Sequence, residues 1–246
     1  MAIAYKSVGN PAEAGAAIDD IDPTYPATVD ANDIAIAQLY GRGTAVPSSP
    51  SWDPDDQGVW TLLGGSPYTI DAGGITNVAF MWVYGRICDG SEDGAVANFG
   101  NTDAGTNVRG GRVYTFSGYS SGVITDVVPA ASFAFLDHAT DPQMPTVTTT
   151  LAGALAVALI AQLDDNTMGS ATGESGGDWT EPTGEQLSNA FANDFMQGIN
   201  VATPTADPGT ISGGAIATAN DPCGVVAFEI RPQGVAETFV PTAVVY

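Results

Sequence analysis

The hydrophobic pattern of the chain is anchored by two runs. The first is Asn77-Val-Ala-Phe-Met-Trp-Val-Tyr-Gly-Arg86, with Gly73-Gly74 before it and Asp89-Gly90 after it. Its β-branched and aromatic content and its flanking glycines predict a strand buried on both faces. The second is Gly153-Ala-Leu-Ala-Val-Ala-Leu-Ile-Ala-Gln-Leu163, stopped by Asp164-Asp165. Strands of this kind need a layer packed over them, and the rest of the sequence is expected to supply a sandwich.

The remaining segments fit that expectation. Ala2–Val8 predicts a strand that Gly9-Asn-Pro11 breaks, and residues 13–30 form a long surface connection rich in Ala, Asp and Pro. In Asp33–Tyr40 the large apolar residues fall at 34 and 36, then at 39 and 40, which implies an irregularity near the strand's end. Val59–Leu63 and Pro67–Ile70 are short strands around Gly64-Gly65. Arg112–Tyr119 alternates, with Val113 and Thr115 on one face and Tyr114 and Phe116 on the other. Short strands are predicted at Val123–Val128 and Phe133–Leu136, Thr146–Thr150 leads into the second apolar run, and further strands are predicted at Phe195–Ala202, Ile211–Ala219 and Gly224–Arg231. Only Glu185–Asn193 suggests a helical turn or two. Residues 46–58, 89–111 and 164–183 are long loops, and loops of that length usually carry function or motion.

The two halves carry a similar series. Ile34–Leu39, Trp60, the 77–86 strand and Tyr114–Phe116 are answered by Leu159–Leu163, Trp179, Phe195–Ala202 and Ala227–Ile230. The expected fold is all-β: a jelly-roll-like antiparallel β-sandwich with long Gly/Asp-rich loops. One domain is expected over 1–232, followed by an extended C-terminal tail over 233–246. That tail carries Phe239, Val240, Val244 and Tyr246 with one charge, Glu237. Such a segment is suited to strand addition on a neighbouring chain or the capsid, or to folding back as one more strand of its own sandwich.

Charge narrows the function. Against 28 Asp and Glu stand six Lys and Arg, a net charge of −22, so no basic surface for nucleic acid can be assembled and anionic membranes are disfavoured. Met1–Lys6 has no charged n-region and no apolar stretch after it, so no secretion signal is expected. Leu151–Leu163 is too short to span a bilayer. Cys88 and Cys223 stand far apart and are expected as free buried thiols.

No catalytic constellation emerges, and an enzyme is not expected. His138 is the single histidine, no serine stands in a Gly-x-Ser-x-Gly elbow, and His138 is placed in a polar surface loop. One His and two distant Cys do not make a closed zinc site. Adjacent acids such as Asp19-Asp20 and Asp55-Asp56 are expected as solvated surface pairs. No cofactor is expected, with calcium the one open possibility. Asp89-Gly-Ser-Glu-Asp-Gly94 copies the start of an EF-hand loop, which offers Asp89, Glu92 and Asp93 as weak ligands. The twelfth position, Gly100, lacks the required Glu. Trp60 is assigned to the core, while Trp52 and Trp179 are candidates for contact with a ligand or partner.

These motifs together resemble virion surface proteins of tailed phages and phage-like gene-transfer agents. The residues that carry the likeness are Asp33–Ala37, Gly58–Leu63, Val113–Gly118, Gly153–Leu159, Gly176–Trp179 and Val225–Pro232. The resemblance implies a structural protein on the virion surface, made in the host cytoplasm, and no catalytic residues. The first expectation is a capsid decoration (cement) protein, a homotrimer that bridges capsomers by contact with the major capsid protein or other virion proteins. The alternatives are a tail or head fibre that binds a receptor or glycan, and a calcium-dependent carbohydrate-binding module.

Overall fold

The computed structural model describes residues 1–14, 20–43, 51–52, 60–71, 78–100, 106–119, 122–163, 171–182, 187–188, 196–216 and 221–232. Its apolar runs become eight main strands. Ala4–Val8 (β1), Ile34–Gly43 (β2), Val78–Ile87 (β3) and Thr106–Ser117 (β4) lie in the spatial order β1-β4-β2-β3. Ala134–His138 (β5), Leu155–Gln162 (β6), Met196–Ala202 (β7) and Cys223–Ile230 (β8) form a second sheet, β5-β8-β6-β7. All these pairings are antiparallel.

The all-β antiparallel sandwich is therefore present, with one four-residue helix among the described residues. A jelly roll sends successive strands to alternate sheets. Here the described chain completes one sheet before starting the other, and both sheets follow the same order of first, fourth, second and third strand. The likeness between the halves is thus a likeness of topology. Its most suggestive sequence element is out of phase, however. Gln38 of Ile36-Ala-Gln-Leu39 lies on the side facing the other sheet, whereas Gln162 of Ile160-Ala-Gln-Leu163 shares the outward face with Ala158 and Ile160. Because side chains alternate along a strand, one residue of offset exchanges the faces.

Each sheet is apolar on both sides. Ile34, Ile36, Met81 and Val83 of the first sheet meet Val157, Leu159, Val226 and Phe228 of the second in a shared core. The opposite face of the first sheet presents Leu39, Phe80, Trp82 and Tyr84, roofed by Ile21, Tyr25, Trp60 and Phe99. The opposite face of the second presents Ala156, Ala158 and Ile160 beneath Met144, Trp179 and Ile211. The small residues of Leu-Ala-Val-Ala-Leu point outward, which leaves room for the Trp179 ring, and the large ones point between the sheets. The result is four layers: cover, sheet, sheet, cover.

Where the pattern predicts an irregularity in residues 33–40, the structure has an unbroken strand. Gln38 occupies the inward position, and the register shift falls later, between Arg42 and Gly43. The Gln38 side chain donates to the Ile160 carbonyl of the other sheet at 2.9 Å and accepts from the Tyr114 hydroxyl at 3.1 Å. Gln197 returns the contact by donating to the Gln38 carbonyl at 3.2 Å. A second correction is the one-turn helix Ile124–Val127 in place of a predicted strand. Gly122 and Pro129 punctuate this link between the sheets, and its two buried residues are three apart, which one helical turn places on the same side. Leu187–Ser188 is a short strand where a helical turn was the expectation.

Val83 and Leu159 are fully buried in the shared core. Truncation of either to Ala is expected to cost about 1–4 kcal/mol, read as a lower midpoint in urea denaturation followed by circular dichroism.

Candidate functional site

The acidic loop 89–94 follows directly from β3, and its carboxylates have defined partners. Glu92 is fully buried and pairs with Arg86 Nη2 at 2.7 Å. It also accepts the Asp89 N–H at 3.0 Å and the Gly90 N–H at 2.9 Å. The Arg86 Nη1 donates to the Tyr25 hydroxyl at 3.1 Å, and the guanidinium lies 5.8 Å from the Tyr25 ring and 6.0 Å from the Trp60 ring. Asp89 accepts from the hydroxyl and N–H of Ser91, and these bonds hold its carboxyl below the ordinary range. Asp93 accepts the Val29 N–H at 2.5 Å.

The three acids offered by the EF-hand-like spelling thus do three different things. One neutralises a buried arginine, one closes a turn, and one pins the covering segment around Val29. Together they clasp the cover onto the first sheet. Among the described residues no group of three or more His, Cys, Asp and Glu is placed to hold a metal ion. The second sheet has a similar tie, in which Glu229 accepts from Arg231, from the Thr150 N–H and from the Thr150 hydroxyl.

The tryptophans divide differently from the expectation. Trp60 is core, as its strand-like surroundings predict. Trp179 is 1% exposed and roofs the second sheet, so it is a packing residue and not a surface contact. Its polar, Gly-rich neighbours disguise this: turns at Gly176 and Gly177 deliver the ring inward from a loop. Trp52 pairs through its backbone with Phe99, and its side chain lies outside the described residues. Phe239, Val240, Val244 and Tyr246 also lie outside them. His138 belongs to β5, half-buried opposite Cys223, rather than to a loop. Both cysteines are free and buried. The residues missed from sequence are Gln38 and Glu229. Each is a lone polar side chain inside an apolar strand, and the Glu229-Ile-Arg231 spacing places acid and base on one face.

An open cleft of about 500 Å³ lies where the two halves meet, lined by Met1, Ala2, Gly118, Tyr119, Gly153 and Pro232 among others. The N-terminal segment is drawn against the second half by the Ile3 N–H to Gly153 carbonyl bond at 2.8 Å. Gly118 adopts φ +103°, and a Cβ there would lie 2.1 Å from the Ala2 carbonyl oxygen, so that close approach needs glycine. None of these lining residues is a carboxylate, imidazole or thiol. The cleft can accept an apolar or main-chain group.

No helix among the described residues is long and apolar enough to cross a membrane. No protein-family model, curated protein or solved structure matches the chain.

Two predictions follow from these charges and thiols. Glu92→Gln leaves the Arg86 charge buried without its counter-charge and is expected to cost about 3–5 kcal/mol in equilibrium unfolding. Asp93→Asn keeps an acceptor for Val29 and is expected to cost about 1 kcal/mol or less. Burial, with Asp137, Asp141 and Asp221 nearby, pushes the Cys223 thiol up to about 12, and burial also raises Cys88, Tyr25, Tyr40 and Tyr68. Groups whose folded pKa is raised hold their protons more tightly in the folded state. Their contribution is intact below the ordinary thiol and phenol values of 9.0 and 10.0, and fades as pH rises beyond them. Stability is expected to fall progressively from pH 9 to 12, and an aromatic disulfide reagent at pH 8 is expected to label both thiols only on unfolding.

Proposed function

We propose that this protein is a structural component of a virion surface, acting as a capsid decoration protein that bridges capsomers. The observation that carries the proposal is the four-layer body with its charges turned to structural ends. Both sheet faces are sealed, and Glu92 and Glu229 are neutralised inside by arginines. What the chain offers to a partner is therefore its exterior and its strand edges. The resemblance motifs support the same assignment, because they fall on the load-carrying parts of the fold. Asp33–Ala37 enters β2, Val113–Gly118 ends β4, Gly153–Leu159 enters β6 and Val225–Pro232 ends β8.

The charge is consistent with a place outside the shell. At −22 the chain is repelled by packaged DNA and by other acidic surfaces, so its docking surface on a capsid has to be apolar, main-chain or locally basic. A protein of this kind stabilises a shell by spanning subunit boundaries, with no chemistry at its surface.

The test is reconstitution. Purified protein added to phage heads that lack it is expected to bind saturably, at a fixed number of copies per capsomer, and to raise the temperature at which the heads release DNA. Binding to tails alone, or to an immobilised glycan alone, would overturn the decoration role.

A further inference from the structure

The sandwich has four outer sheet edges, and they are finished differently. The free side of β3 is occupied by Thr61–Leu62 and Tyr68–Ile70. The free side of β7 carries Leu187–Ser188 and the Thr180 bridge to Val201. The β1 edge is interrupted by a register shift between Tyr5 and Ser7. At that bulge sits Lys6, tied to Asp30 at 2.6 Å and to Asp33 at 2.5 Å. A bulge and a lysine are the standard protections of an edge strand against pairing with another chain.

The β5 edge has neither protection. Ala134 to His138 pair with Ala227 to Cys223 in unbroken register, without Pro, Lys or Arg, and no described strand lies on the other side. The edge is preformed. Phe135 stacks on Tyr68 at 5.0 Å between ring centres, and the Asp137 carboxylate accepts the Asp71 N–H at 3.1 Å. Leu136, at its centre, is 36% exposed on the outward face.

We propose that the β5 edge receives residues Thr242–Tyr246 from the tail of a second copy of this chain, as an added antiparallel strand. The segment has five residues, like β5, with no charged side chain and no proline. Val244 and Tyr246 fall on one face and Val245 on the other. Strand direction favours a second copy over the chain's own tail. β8 runs antiparallel to β5 and leads into the tail at Pro232. A tail that doubled straight back beside β5 would run parallel to it, whereas every described pairing between strands is antiparallel. A tail from another copy can enter in the antiparallel sense, supply main-chain hydrogen bonds, and cover Leu136 with Val244.

The test uses the isolated protein, so it is independent of any particle. Leu136→Cys and Val244→Cys chains, each in a Cys223→Ala background, are mixed and oxidised. A disulfide-linked heterodimer is expected at a yield that rises with protein concentration, together with at least tenfold slower amide exchange at Phe135–His138 than in a chain lacking 233–246. The truncated chain is expected to stay folded and monomeric in light scattering. Cross-linking within a single Leu136→Cys/Val244→Cys chain at high dilution would overturn the proposal. So would unchanged self-association of the truncated chain, its unfolding, or absence of the heterodimer. A failed head-binding experiment with an intact heterodimer would overturn the decoration role alone.

Discussion

A sheet with large apolar side chains on both faces has to be covered twice, and this fold is the consequence of having two such sheets. The faces of β2, β3, β6 and β8 that look inward cover one another. Those that look outward cannot, and the chain devotes its long connections to roofing them. Residues 21–29 and 95–99 lie over the first sheet, and residues 142–149, 171–180 and 210–216 over the second. Removal of apolar area from water contributes about 25 cal/mol per Å², so an uncovered outer face bearing Phe80, Trp82 and Tyr84 would forfeit several kcal/mol. The connections are thus part of the core, held in place by short bridges and by the clasp of Arg86, Glu92 and Asp93.

Polar groups inside such a body must be satisfied, and they fix how the layers sit. Gln38 reaches across the middle of the sandwich to the Ile160 carbonyl while Gln197 reaches back to the Gln38 carbonyl. Apolar packing alone tolerates sliding, since one aliphatic contact is much like the next. A pair of hydrogen bonds running in opposite directions between the two sheets does not, because any slip leaves buried amides unpaired at about 1–3 kcal/mol each. The glutamines set the relative position of two sheets that otherwise meet through interchangeable side chains.

The strands were legible because apolar runs with glycine borders have few alternatives, and the double burial of residues 78–87 and 155–162 was written in their continuous hydrophobicity. The covers were not legible. Ile21, Tyr25 and Trp179 stand among Asp, Pro and Gly, so their local composition signals solvent while their destination is set by the tertiary need of the sheet beneath. The structural role of the acidic loop was hidden for a related reason. Ligand-like spacing around Asp89 and Glu92 is equally suited to accepting backbone N–H groups and an arginine, and Arg86, six residues before Glu92, takes the second of these roles. Trp179 was mistaken for a surface residue by the same loop logic, and Gln38 was hidden as an apparent break in an apolar pattern.

The comparison of the two halves sharpens what distinguishes them. β1 and β5 hold the same place in the shared strand order, each at the outside of its sheet beside the fourth strand. Trp60 and Trp179 likewise occupy the same place, between second and third strands, and each roofs its own sheet. In the cores and covers the halves solve one problem in one way. At the edge they part: β1 is interrupted by a register shift and anchored through Lys6, the single lysine of the chain, while β5 runs in unbroken register without Lys or Arg. In a chain with six basic residues, the placement of the only lysine at one edge leaves the other without that protection. Identical topology with unequal edges gives the molecule a direction, which the proposed docking of a second copy's tail on β5 would use.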